Sequence, residues 1–126
     1  MPVILIVDDD AAVRGILHDL LSDTYACNSA STAEEAFQYL EIENYDVVIT
    51  DISMPGLSGV DLLKRIQLKD LDTPVIFISG KGTEADSDLL MQLGAFAYVS
   101  KPFRLDEVES LVAEAVAHHE KERELR

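Results

Sequence analysis

Tryptophan is absent from this 126-residue chain, cysteine occurs once, and aromatic residues make up only 6% of it. So few aromatics argue against recognition of single-stranded nucleic acid by base stacking. The single thiol, Cys27, excludes an internal disulfide framework and a cysteine-based zinc site, and it fits a reducing cytoplasm. Cations are scarce as well. Ten Lys and Arg stand against 24 Asp and Glu, for a formal net charge of −14. Nucleic acid and anionic membrane would be repelled, so the expected partners are metal ions or a basic protein surface. Long hydrophobic runs are missing too. The apolar stretch Val3–Val7 is far too short to span a bilayer and no basic segment precedes it. Neither a membrane helix nor a signal peptide is expected.

What is present is patterned. Hydrophobic residues form 48% of the chain, and its length suits one domain with a single core. Five apolar, β-branched runs stand at 3–7, 25–29, 46–50, 74–79 and 97–100. The first, third and fourth are nearly continuous rather than alternating, as strands covered on both faces of a parallel sheet are. Helical patterns fill the intervals. Val13, Ile16, Leu17, Leu20 and Leu21 make one amphipathic stripe. Ser31 and Glu34 have capping-box spacing ahead of Ala33, Ala36, Phe37 and Leu40. Val60, Leu63 and Ile66 follow a Pro55-Gly56 turn. A fourth helix starts near Thr83, carries Leu89, Leu90 and Leu93, and stops at Gly94. A fifth runs from about Asp106 through Val108, Leu111, Val112 and Ala115. Five β-α repeats imply an α/β fold with helices on both faces of a parallel sheet. Beyond residue 117 the apolar stripe is lost. Residues 118–126 read as a solvated, charged extension of the last helix, with a connector to a further domain or a dimer partner as the alternative.

In open parallel sheets, ligands bind beyond the carboxyl ends of the strands. Asp8, Asp9 and Asp10 follow the first run, Asp51 ends the third, Ser79-Gly80 ends the fourth, and Lys101-Pro102 follows the fifth. Two carboxylates about 4 Å apart repel by about 4 kcal/mol at an effective dielectric near 20. One lysine does not offset three acids, whereas an oxygen-ligated Mg2+ would. A carboxylate beside Mg2+ can act as a nucleophile toward phosphorus, so Asp51 is read as the attacking group, with Lys101 and the Ser79 hydroxyl holding phosphoryl oxygens. Taken singly, these residues have plainer readings. Asp9 or Asp10 alone suits a helix N-cap, and Ser79 alone a turn. His18, His118 and His119 read as solvated helix residues, and Tyr98 and Phe103 as packing residues.

Four segments in order carry a resemblance to a known family: Val7-Asp8-Asp9-Asp10, residues 51–59 (DISMPGLSG), Phe77-Ile78-Ser79-Gly80, and residues 94–103 (GAFAYVSKPF). From about Val3 to about Ala117 the chain resembles a response-regulator receiver domain of the two-component phosphorelay family. The resemblance implies a flavodoxin-like (βα)5 sheet of order 2-1-3-4-5, a receiver domain over residues 1–117, and a cis bond between Lys101 and Pro102. Asp51 would be the phosphoacceptor, served by a sensor histidine kinase or a histidine phosphotransfer protein. Asp8, Asp9, Asp51 and the backbone carbonyl of Ser53 would hold Mg2+. Lys101 would pair with the phosphate, Ser79 would move toward it, and Tyr98 would turn inward as a switch. An output domain or partner protein would read the face of the fourth helix, fifth strand and fifth helix, a surface that also allows a homodimer. Donor docking is expected on a rim formed by Ala11, Ala12, Val13, Gly15, Pro102 and Phe103. Serine stands at 79 where the family often has threonine, and glycine at 80 where alanine is frequent. Such a domain would catalyse only its own phosphorylation and dephosphorylation, and is not an enzyme in the ordinary sense. The competing readings are a phosphorylation-independent interaction module on the same fold, a Mg2+-dependent phosphate-ester hydrolase, and a flavin-binding protein. The hydrolase lacks a second acid near Asp51, and three acids after the first strand would repel a flavin phosphate.

Overall fold

Five strands alternate with five helices: β1 (Val3–Val7), α1 (Ala11–Leu21), β2 (Ala26–Ala30), α2 (Ala33–Ile42), β3 (Val47–Thr50), α3 (Gly59–Lys69), β4 (Val75–Ser79), α4 (Glu84–Gln92), β5 (Ala97–Ser100) and α5 (Leu105–Glu124). This computed structural model describes residues 1–52, 58–69, 72–80 and 84–125. The strands form one parallel sheet in the order β2-β1-β3-β4-β5. That is the expected doubly wound arrangement.

Burial follows from position in the sheet. Every residue of β3 and β4 is buried, as are four of the five in β1, whereas the edge strands β2 and β5 are mostly half-buried. Successive strand residues point to opposite faces. Leu5, Val7, Val48, Val75 and Phe77 therefore pack with α2, α3 and α4 through Ala36, Leu40, Leu62, Leu63, Ile66 and Leu90. Ile4, Ile6, Val47, Ile49, Ile76 and Ile78 pack on the other face with α1 and α5 through Leu17, Leu21, Val108, Val112 and Ala115. Central strands sandwiched in this way cannot alternate polar and apolar residues, which is why their sequence runs are continuous.

Several local expectations shift. The N-cap of α2 sits one residue later than the sequence spacing suggested. Thr32 is the N-cap and its Oγ1 accepts from Glu35 N at 3.1 Å, while Glu35 Oε1 accepts from Ser31 N at 3.1 Å. Two acids in a row, Glu34 and Glu35, left the register open. Ile16 and Leu89 are about half exposed, because each helix packs on one side only and the buried stripes are narrower than the apolar ones. Gly94 has φ +105° and ends the α4 segment, where Gln67 Nε2 on α3 donates to Leu93 O at 2.8 Å. The bond between Lys101 and Pro102 is cis. Helix α5 continues unbroken to Glu124, and His119 is buried rather than solvated. Asp46, just ahead of β3, attracts it: His119 Nδ1 lies 3.1 Å from Asp46 Oδ1. His118, one residue earlier, points out and meets the Phe96 ring at 5.6 Å between centroids.

Candidate functional site

Strands β1 and β3 are neighbours, so the residues that follow them emerge side by side. Asp8 N donates to Ala30 O and Asp51 N to Val7 O, each at 3.1 Å, which continues the ladder one step past the strands. Lys101 N donates to Ser79 O at 2.9 Å and brings the loop after β5 against the end of β4. These three hydrogen bonds set Asp8, Asp51, Ser79 and Lys101 on one edge of the sheet.

One carboxylate oxygen from each of Asp8, Asp9 and Asp51 lies within 4.8 Å of the other two. Lys101 Nζ donates to Asp8 Oδ2 and to Asp51 Oδ2, both at 3.0 Å. Asp8 is almost wholly buried, and its Oδ1 accepts from Asp10 N at 2.9 Å. The Asp51 side chain keeps 11% of its surface exposed and that of Lys101 keeps 21%. Asp9 is exposed and takes no hydrogen bond from the described residues. Asp10 is the N-cap of α1, its Oδ1 accepting from Ala12 N and Val13 N, so the helix-cap reading holds for Asp10 and not for Asp9. Ser79 is buried at the end of β4. Tyr98 on β5 is half-buried against the core, and its hydroxyl is buried with no hydrogen-bond partner among the described residues. Ser53 lies outside the described residues, as do Pro55, Gly56, Lys81 and Thr83.

Burial pushes the Asp8 carboxyl above its ordinary value of 3.8, against the opposing pull of the Asp10 amide and of Lys101. Burial also pulls Lys101 down, but its hydrogen bonds to Asp51 and Asp8 and their charges outweigh it, so its ammonium titrates above 10.5. Lys101 thus stays charged at neutral pH, while the ionised Asp8 carries a net cost. Three carboxylates facing one ammonium leave two negative charges uncompensated. A divalent ion with oxygen ligands fits that deficit, and Asp8, Asp9 and Asp51 are the side chains that could hold it.

Three further residues support the site without having stood out in the sequence. Arg14 on α1 donates from Nη1 to Asp8 O at 2.7 Å. Thr50 Oγ1 donates to Asp51 O at 3.0 Å. Gly59 at the start of α3 lies so close to Asp51 that an added Cβ would overlap the Asp51 carbonyl oxygen. Only Arg14 had a readable signal, a lone cation one helical turn past a run of acids.

Among the described residues no helix is long and apolar enough to cross a membrane. Residues 4–113 match the family model described as the response regulator receiver domain. The chain is 32% identical over 125 residues to the DNA-binding transcriptional regulator NtrC of Escherichia coli K12, covering 98% of this chain and 27% of that protein. It is 30% identical over 119 residues to the transcriptional regulatory protein BasR of the same organism, covering 94% of this chain and 54% of BasR. The chain therefore spans between about a quarter and a half of those relatives. A response regulator receiver domain protein from Clostridium thermocellum superposes with a TM-score of 0.88 at 30% identity, over all of both chains. A CheY-like response regulator receiver domain protein from Methanospirillum hungatei JF-1 gives 0.91 at 28% identity, over 97% of this chain and 98% of that one. With its sheet order, its acidic edge and these matches in agreement, the chain belongs to the response regulator receiver domain family of two-component signalling.

Proposed function

We propose that this receiver domain accepts a phosphoryl group on Asp51 from a phosphohistidine of a sensor histidine kinase or a histidine phosphotransfer protein. The observation that carries the reading is the meeting of Asp8, Asp9 and Asp51 within 4.8 Å, with Lys101 Nζ 3.0 Å from two of them. A carboxylate oxygen of Asp51 attacks phosphorus and the phosphorus–nitrogen bond breaks. The electron pair returns to the donor imidazole. Lys101, already beside Asp51 Oδ2, pairs with the incoming phosphoryl oxygens, and the Ser79 hydroxyl donates to another. Mg2+ held by Asp8, Asp9, Asp51 and the Ser53 carbonyl would supply two positive charges against the oxygens of this site. Later attack of water on phosphorus releases inorganic phosphate and restores the carboxylate, so the mark is timed.

The added group brings roughly −1.5 to −2 charge. In this reading Ser79 draws the end of β4 toward the phosphoryl group, and Tyr98 responds. A buried hydroxyl without a partner costs about 1–3 kcal/mol, so the Tyr98 side chain gains from any rearrangement that gives it one. The face of α4, β5 and α5 then changes shape for an output domain or a partner protein, and a homodimer through that face fits as well. Donor, receiver and output would meet in the cytoplasm. The domain turns over no free substrate of its own. Signalling without phosphorylation is the second reading, and the shallow exposure of Asp51 is what favours it.

Intact-mass measurement after incubation with acetyl phosphate and Mg2+ separates the two. One phosphoryl adduct, absent in Asp51→Asn and in EDTA, is expected. An unmodified protein, or an adduct that survives in Asp51→Asn, rejects the assignment.

A further inference from the structure

We infer that Arg14 is a positioning residue for the acidic pocket, fixing the backbone from which Asp9 projects. The inference rests on the proposed Mg2+ site. Asp9 is the one acid of the three that is exposed and takes no hydrogen bond from the described residues, so only its backbone can aim it. Two peptide planes flank its Cα, and among the described residues each has a hydrogen bond that holds it. The plane that contains Asp8 O and Asp9 N is held by Arg14 Nη1, which donates to Asp8 O at 2.7 Å. The plane that contains Asp10 N is held by its bond to Asp8 Oδ1 at 2.9 Å. Asp8 itself is tied through N to Ala30 O and through Oδ2 to Lys101. Arg14 rides on α1, whose first turn is capped by Asp10, so the loop and the helix close a circuit on each other. A cationic donor makes the stronger kind of bond to a carbonyl, and without it the Asp8–Asp9 peptide loses the bond that fixes its tilt.

Geometry and charge predict opposite signs here, so the experiment discriminates between them. Loss of a nearby cation would tighten binding of a dication, whereas loss of a positioning bond would weaken it. Mg2+ titration calorimetry on the wild type, Arg14→Ala and Arg14→Lys is paired with amide hydrogen exchange in EDTA. Arg14→Ala is expected to raise the Mg2+ dissociation constant about tenfold, as loss of an outer-shell partner does. Arg14→Lys should recover much of that loss. In EDTA the Asp10 amide of Arg14→Ala should exchange about tenfold faster while the β1 amides keep their protection. Unchanged or tighter Mg2+ binding in Arg14→Ala overturns the inference, as does an unchanged Asp10 exchange rate. If the wild type binds no Mg2+, the proposed function fails, and the exchange measurement still decides the role of Arg14. Should Arg14→Ala not fold, Arg14→Gln carries the same comparison.

Discussion

Lys101 Nζ reaches Asp51 Oδ2 at 3.0 Å across 50 residues of sequence, and the same nitrogen holds Asp8 Oδ2. One ammonium therefore separates two carboxylates that would otherwise face each other. Removal of one member of a buried ion pair costs about 3–5 kcal/mol, and less where solvent still reaches the group. Lys101→Ala is accordingly expected to destabilise the metal-free domain by about 1–3 kcal/mol at pH 7, measured by urea unfolding in EDTA. The deficit should shrink on acidification, as Asp8 takes up a proton and stops repelling Asp51. A loss of the same size at pH 4 and pH 7 would show that packing of the lysine stem, not its charge, is what matters.

The raised Asp8 carboxyl makes a prediction of opposite sign. A carboxyl whose folded-state pKa lies above its unfolded value of 3.8 contributes its stability below that value and loses it as pH rises through the folded one. At neutral pH the ionised Asp8 is a liability to the fold. Asp8→Asn should thus melt higher than the wild type at pH 7 in EDTA, and the advantage should vanish below about pH 4. Under the proposed function, Mg2+ raises the melting temperature of the wild type and leaves that of Asp8→Asn nearly unchanged. A variant no more stable than the wild type at pH 7 would mean that the bonds from Lys101 and the Asp10 amide outweigh the burial of Asp8.

The sheet was legible because burial on both faces forces continuous apolar runs, and the runs at 3–7, 46–50 and 74–79 match β1, β3 and β4 to within one residue. The acids and Lys101 could be placed at one edge because parallel connections bring all carboxyl ends of the strands together. Other features depended on contacts between distant segments, which local pattern does not encode. His119 sits in a charged stretch, and only the fold shows that Asp46, 73 residues earlier, waits beneath it. Arg14 is legible as a lone cation after a run of acids, but that it meets Asp8 O, and that Gly59 makes room for Asp51 O, depends on backbone contacts that only the fold shows. The α2 cap slipped by one residue because Thr32 and Ser31 are both competent caps and both have a glutamate three residues on.

Gly59 offers a test of how tightly the acceptor is held. A Cβ there would overlap the Asp51 carbonyl oxygen and approach Phe77 Cε1 to 2.8 Å and Ile52 Cα to 2.9 Å. Two of these neighbours are backbone and cannot swing aside. Gly59→Ala is expected to cost about 1–3 kcal/mol by overpacking, and to lower the yield of acetyl-phosphate labelling as Asp51 shifts. Gly15, inside α1, has nothing within 4 Å of an added Cβ. Gly15→Ala should therefore stabilise by about 0.5–1 kcal/mol through helix propensity alone. Equal effects at the two positions would reject the steric account.

The far end of the sheet supplies the last comparison. Asp46 Oδ2 accepts from Val3 N at 2.8 Å while its Oδ1 faces His119 Nδ1 at 3.1 Å and Arg123 Nη1 at 3.6 Å. One carboxylate thus ties the start of β1 to the last turns of α5. His119 is buried and its loss leaves both a void and an under-bonded acid, so His119→Ala should cost about 1–3 kcal/mol. His118→Ala, one residue away on the exposed side, should stay within about 0.5 kcal/mol of the wild type. A domain ended at residue 117, the boundary suggested by the apolar stripe, should lose at least as much as His119→Ala. Urea unfolding of the three variants decides between a structural and a merely solvated last turn. Near-equal midpoints for the two histidine variants would return residues 118–126 to the status of a charged tail.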